Sequence, residues 1–271
     1  MNPVIDTILS RKSIRAYEPT EISAEHKETI LRAALRAPTA GNLMLYSIIE
    51  VTDQADKDAL AETCDHQPFI AKAPWVLLFL ADYQRWYDYF LLSDVEQLCE
   101  QRGEELRKPE EGDLFLACCD ALIAAQTAVI AAQSLGIGSC YIGDIMENCE
   151  THRDLFGLPT YTFPIALVCF GYPTEQQEQR TQSTRFDRKF IVFEDRYKRL
   201  DEDEFEEMFR EIQERFHKKK EHPEGIHNSG QLIYARKFSS DFAREMSRSV
   251  RSMLQAWTSS RRGTWRDQDP E

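Results

Sequence analysis

Several features that would assign this chain quickly are missing. The seven cysteines (64, 99, 118, 119, 140, 149 and 169) contain no C-x-x-C pair. The nearest ligand-like spacings, Cys64-x-His66 and Cys149-x-x-His152, have no second pair to complete a zinc site, so no metal is expected. The odd, scattered set reads as reduced thiols, several of them acting as small hydrophobes, which points to a cytoplasmic protein. No basic stretch followed by an apolar core opens the sequence, so no secretory signal is expected. No internal repeat recurs. The longest apolar stretch, 114–135, is interrupted by Asp120, Gln126, Thr127 and Gln133, the pattern of a buried core helix rather than a membrane span. Cations are in the minority: 33 Lys and Arg against 46 Asp and Glu give a formal net charge of −13. That balance excludes general nucleic-acid binding, which needs cations to replace phosphate counterions. No Ser-His-Asp or Cys-His set is evident, so no side chain is expected to carry the bond chemistry itself.

What is present is an alternation of helical and extended patterns across 271 residues, enough chain to bury a substantial core. Val4, Ile5, Ile8 and Leu9 predict a short first helix, and Ser23 can cap a second that Pro38 closes. Strands are expected at Tyr46–Val51, 76–80, 139–142 and 163–170, the second and fourth buried on both faces. Helices are expected over 53–63, 83–106 and up to Leu135, where Gly136 suits a left-handed cap. Asp144 could cap another helix reaching Phe156. Beyond Gly171 the texture becomes polar. Residues 174–182 read as loop, 189–193 as a strand, 201–220 as a charged helix and 240–257 as an amphipathic helix with its stripe ending at Trp257. Neither 189–193 nor that stripe buries itself locally, so these elements are expected to pack on the core or on a partner chain.

Two runs carry the chemistry. Arg11-Lys12-Ser13-Ile14-Arg15 sets three cations and a hydroxyl in five residues. Ala37-Pro38-Thr39-Ala40-Gly41-Asn42 is a helix-ending turn rich in small residues and side-chain hydrogen-bonding groups. Together they suit an anionic, planar, polar-edged ligand. Gly143 adds a position where a side chain would hold the backbone away from such a ligand.

These runs resemble the nitroreductase superfamily of FMN enzymes, whose members carry R-R/K-S-x-R followed by A-P-S/T-x-x-N. The larger branch, of flavin reductases and oxygen-insensitive NADPH nitroreductases, is the more similar one. Residues 67–74 (QPFIAKAP), 135–143 (LGIGSCYIG) and 170–173 (FGYP) extend the likeness over roughly 2–200.

The resemblance implies an α+β fold with a central mixed, mostly antiparallel sheet flanked by helices, and an intertwined homodimer with exchanged C-terminal segments. It implies FMN as cofactor, NADPH or NADH as donor, and small planar acceptors such as nitroaromatics, quinones or free flavin, reduced by ping-pong exchange in one pocket. A non-catalytic flavin-binding protein and a reductive dehalogenase-like member are the alternatives. The expected organisation is a flavin-binding domain over 1–200, a helical extension over 201–258 and a disordered tail over 259–271. Carried over by position, Arg11, Lys12, Ser13 and Arg15 would meet the ribityl-phosphate and pyrimidine portions, with Arg11 or Lys12 toward the N1/O2 edge. Thr39, Asn42 and Gln67 would bind the ring system, and Ile142 and Gly143 would approach it by side chain and backbone. The usual lysine-x-arginine phosphate clamp falls on Ser183 and Arg185, with Arg180 as substitute; spacing to Tyr197 favours Arg185. Met44-Leu45 replaces a common Gln-Pro, and Asp144 replaces a common glycine, placing an extra carboxylate near the ring. The cationic run 217–220 and the pair Arg236-Lys237 are candidates for the additional phosphate of NADPH.

Overall fold

The computed structural model describes residues 2–219 and 221–259. Lys220 and 260–271, which include nearly all of the expected tail, lie outside the described residues. The chain divides into two compact units, one formed by residues up to Arg180 and from Glu245 onward, the other by Thr181–Arg244.

In the first unit, helix α1 (Pro3–Ser10) is capped by the Asn2 side chain and α2 (Ala24–Ala34) by Ser23, which accepts from the His26 amide at 3.2 Å. A 3-10 turn (Ala40–Asn42) leads into β1 (Tyr46–Val51), followed by α3 (Gln54–Thr63) and β2 (Trp75–Asp82). The helical pattern over 83–106 is broken into α4 (Gln84–Leu92) and α5 (Val95–Arg102) by Asp94, which has a left-handed φ of 55°. Helix α6 (Glu111–Ser134) opens with a reciprocal Glu110–Asp113 capping box and ends before Gly136 at φ 74°. Then come β3 (Gly138–Ile142), a 3-10 turn (Asp144–Met146), α7 (Cys149–Phe156), β4 (Thr162–Gly171) and α8 (Glu175–Gln179). Asp144 therefore starts a single tight turn and not the helix to Phe156; left-handed Asn148 (φ 48°) separates the two elements. The polar stretch expected as loop contains α8.

The four strands form one open sheet in the order β1-β2-β4-β3, every pairing antiparallel. Among the described residues the one parallel contact is an isolated bridge between Ser13 and Ser139. Strand β2 is buried at all eight positions and β4 at all but one of its ten, which is why both read as continuous apolar runs. Alternate residues feed two layers. Trp75, Leu77, Phe79, Val168 and Phe170 face α2 and the alanine-rich side of α6. Val76, Leu78, Leu80, Leu167 and Cys169 face Leu60, Cys64, Ile70 and Ile145. Pro164, which cannot donate to a ladder, sits in this central strand at the bulge where register shifts between Phe79 and Leu80.

Helix α6 is long and apolar enough, by length and composition, to cross a membrane. Here it is the core helix, with Ala117, Ala121, Ala124, Ala125, Ala128, Val129 and Ala132 buried on the sheet side. Its opposite side leaves Phe115, Leu116, Leu122 and Ile123 exposed.

The second unit holds a 3-10 turn (Arg188–Phe190), α9 (Glu202–His217) and α10 (Ser229–Ile233), which runs into a π-helical turn (Tyr234–Phe238). The strand expected at 189–193 does not form: Asp187 caps the Lys189 amide and curls the chain, and no strand occurs among the described residues of this unit. Helix α11 (Asp241–Ser259) belongs to the first unit from Glu245 onward. Its stripe is covered by the chain's own core: Met253 and Trp257 pack with Leu45, Leu114 and Phe163, and Trp257 donates to the Glu110 carbonyl at 3.1 Å.

Candidate functional site

The segment 11–15 leaves α1 extended and lies along β3, where the Ile14 amide donates to the Ser139 carbonyl at 2.9 Å. Further on, the Glu18 amide donates to Tyr172 and Tyr17 bridges Pro173. Two glycines, paired with each other across β3 and β4, make room for this path. A Cβ on Gly138 would stand 2.5 Å from Ile14 Cγ1, and one on Gly171 would stand 2.7 Å from Tyr17 Cδ1 and 2.8 Å from Pro74 Cδ. The arm therefore depends on the absence of both side chains.

A second strand of contacts holds the cations. Lys12 Nζ donates to the Arg180 carbonyl at 2.7 Å and to that of Glu178, the exposed end of α8, where a cation meets unsatisfied carbonyls. The Arg180 guanidinium donates back to the Ser13 carbonyl, and the Arg15 amide donates to Gln177 Oε1 at 3.3 Å. Arg180 is thus the arginine that the structure brings to this arm. Arg185 belongs to the other unit and donates to the Ser183 and Thr184 carbonyls. Burial pushes the Cys140 thiol above its ordinary range; the charges that also act on it are Arg15, Arg11, Arg180 and Asp144, which places the arm and Asp144 around one buried thiol.

At the far end of β3 stands Gly143, where an added Cβ would meet nothing within 4 Å. Beside it, the Gln67 amide nitrogen donates at 2.8 Å both to the Cys64 carbonyl and to Asp144 Oδ2. Gln67 and Gly143 are thereby tied to one another through Asp144. Ile142 differs from the expectation. The whole residue is 1% exposed, its side chain locked in the layer with Leu78 and Leu167.

The turn at 39–45 is built separately. Gly41, Asn42 and Met44 all take left-handed backbone (φ 56°, 58° and 51°), an unfavourable series for the latter two. Asp120, 2% exposed on α6, accepts from the Ala40 amide at 2.9 Å with one oxygen and from the Leu45 amide at 3.1 Å with the other. Thr39 Oγ1 takes the Met44 amide at 3.2 Å. This turn enters β1, at the sheet edge opposite β3, about 14 Å away by three strand spacings. The structure joins 11–15, Gly143 and Gln67; it does not bring Thr39 and Asn42 to them.

Sequence reasoning missed Asp120 and Glu147. Asp120 could have been found as the lone carboxylate in an otherwise apolar helix. Glu147, buried one turn after Gly143, carries no pattern at all. Of the remaining cations, Lys237 sits over the Phe242 ring at 5.3 Å, in the second unit. Among the described residues no group of three His, Cys, Asp or Glu is arranged to hold a metal.

The model of the nitroreductase family matches residues 8–172, which include the arm, the turn, Gln67, Gly143 and all four strands. The chain belongs to the nitroreductase family. Among its relatives in that family, an FMN reductase (NADPH) of Bacillus subtilis is 33% identical over 64% of this chain and 67% of its own. An oxygen-insensitive NADPH nitroreductase of Salmonella typhimurium is 30% identical over 74% of this chain and 78% of its own. The crystal structure of nitroreductase A from Vibrio parahaemolyticus superposes with a TM-score of 0.76 at 26% identity, covering 94% of this chain and 98% of that one. This family membership and the antiparallel sheet with flanking helices agree with the fold expected from the motifs.

Proposed function

We propose that this nitroreductase-family protein is an FMN-dependent NAD(P)H oxidoreductase that reduces nitroaromatics, quinones or free flavin. The observation that carries the reading is the joined set at the two ends of β3: an arm of fixed cations at one end, and a bare glycine beside a held glutamine at the other. The donor set fits the group. Arg15 and Arg180 offer charge for a phosphate, Arg11 or Lys12 charge for the pyrimidine edge, Ser13 a hydroxyl for the ribityl chain, and Gln67 its remaining carbonyl oxygen for a ring donor. The open direction above Gly143 allows a flat ring to approach main chain. FMN held there would supply the redox chemistry, hydride transfer from a nicotinamide to an acceptor. The protein's part is to hold, orient and charge-balance: Arg11 or Lys12 favours negative charge at the ring's pyrimidine edge.

Within one chain the turn bearing Thr39 and Asn42 lies at the wrong sheet edge to join this set. In the proposed homodimer, the turn of a second copy completes the cradle. The exposed Phe115, Leu116, Leu122 and Ile123 of α6, with Val4, Ile5, Ile8 and Leu9 of α1, offer the apolar surface such an assembly needs. All seven cysteines are free thiols, in keeping with a reducing, cytoplasmic setting. The purified protein should be yellow, bleach on NADPH and recolour with a quinone, and sediment as a dimer. A colourless protein that cannot take up FMN would sink the assignment.

A further inference from the structure

Beside Gly143 lies a pair of carboxyls that the reading above leaves unused. Asp144 and Glu147 bracket the 3-10 turn after β3, which closes with the Glu147 amide donating to the Asp144 carbonyl at 3.0 Å. The negative charge of Asp144 opposes ionisation of Glu147, because like charges held close together disfavour the doubly charged state. Glu147 is 4% exposed, and its Oε1 is buried with no hydrogen-bond partner. A carboxylate left so is costly, whereas the neutral acid is tolerated.

The surroundings reinforce this from every side. Asp65, just past α3, and Glu245 of α11 add negative charge. No ion pair to Glu147 occurs among the described residues. The nearby Arg248 is committed to Glu150 and Glu245. His152, buried between the Ile145 carbonyl (2.9 Å) and Thr63 Oγ1 (2.8 Å), is held toward its neutral form by burial. Burial, then Asp144, keeps the Cys64 thiol protonated. Burial first, with Asp144, Asp65 and Glu245 adding to it, pushes Glu147 up to about 7.

We propose that Asp144 and Glu147 act as a one-proton pair at the Gly143 wall and that its charge makes the site select uncharged planar acceptors over anionic ones. The proposal rests on the flavin-cradle reading for the location of the acceptor. Asp144 is adjacent in sequence to Gly143 and held by Gln67, so its charge is fixed at that wall. With one proton the pair carries a single negative charge; loss of the proton adds a second at a site screened from solvent. An added unit charge at this range changes relative binding by roughly three- to tenfold.

The test compares naphthoquinone with its sulfonate on the FMN-loaded protein from about pH 6 to about pH 8.5, a span that brackets neutral titration. The kcat/KM ratio of neutral to sulfonated quinone should rise roughly three- to tenfold with pH in the native protein. It should stay flat in Glu147→Gln, and in Asp144→Asn the rise should move to lower pH, since burial still raises Glu147 while the neighbouring charge is gone. Independently of turnover, infrared difference spectra of FMN-free protein should show a protonated carboxyl band that titrates near neutral pH and is absent from Glu147→Gln. If FMN is taken up but no such band titrates, the pair is overturned. If the band titrates while selectivity ignores pH, the selectivity is overturned and the pair stands. Failure to take up FMN overturns the flavin reading together with the selectivity, while the infrared titration still decides the pair.

Discussion

The arm at 11–15 and the turn at 39–45 are both short, polar and set at the margin of the same core, yet they are held by opposite means. The arm is fixed from above, by the half-exposed Lys12 and the exposed Arg180 donating to carbonyls and by two glycines that step aside. The turn is fixed from below, by one buried carboxylate that accepts a main-chain hydrogen bond with each oxygen. Surface contacts of the first kind are individually weak and tolerant. A buried charge of the second kind is strong only while both partners are present, and removing it strands what it satisfied.

The largest effect should therefore come at Asp120. Asp120→Ala leaves the buried Leu45 amide and the half-buried Ala40 amide unpaired and should lower unfolding stability by about 3 kcal/mol, read from denaturant midpoints. A loss within half a kcal/mol would erase the contrast between the two segments. Next is Gly138→Val, which drives a side chain into Ile14; about 2 kcal/mol of stability and much of the FMN affinity should go together.

Glu147→Gln tests the buried acid by sign. The folded pKa of about 7 lies above the ordinary 4.5, so the contribution of Glu147 is fully present below the ordinary value and is lost as pH rises through about 7. The variant should match the native protein near pH 4 and exceed it by roughly 1–3 kcal/mol near pH 8. Thermal unfolding at the two pH values checks this. The smallest effects belong to exposed cations. Arg180→Ala should weaken FMN binding about tenfold and Arg185→Ala less than about twofold, measured by fluorescence quenching. The reverse order would restore the clamp inferred from spacing.

Legibility in the sequence followed the same division. The strands around 76–80 and 163–170 are readable because burial on both faces leaves unbroken apolar runs, whereas Tyr46–Val51 is an edge strand buried only at its ends. The break at Asp94 was not, since a left-handed residue between two helical patterns leaves periodicity almost intact. Residues 189–193 have the composition of a strand but find no edge to pair with, and a cap from Asp187 decides their shape. In the site, Arg11, Lys12, Ser13, Arg15, Gln67 and Gly143 were marked by motif and come together along β3. Spacing ranks Arg180 behind Arg185, because it does not reveal that α8 turns its end toward Lys12. Asp120 acts on residues about eighty positions earlier, a pairing that only the packing of α6 behind the turn creates.

The facing glycines also imply an order of assembly. Gly138 and Gly171 lie opposite one another only when β3 and β4 are paired in native register. Before that moment no smooth seam exists for Ile14 and Tyr17 to enter, and the Ser139 carbonyl has no fixed place at which to receive the Ile14 amide. The arm joins residues more than a hundred positions apart in the chain, the costliest kind of closure. The seat for Ile14 and Tyr17 therefore exists only once β3 and β4 have paired.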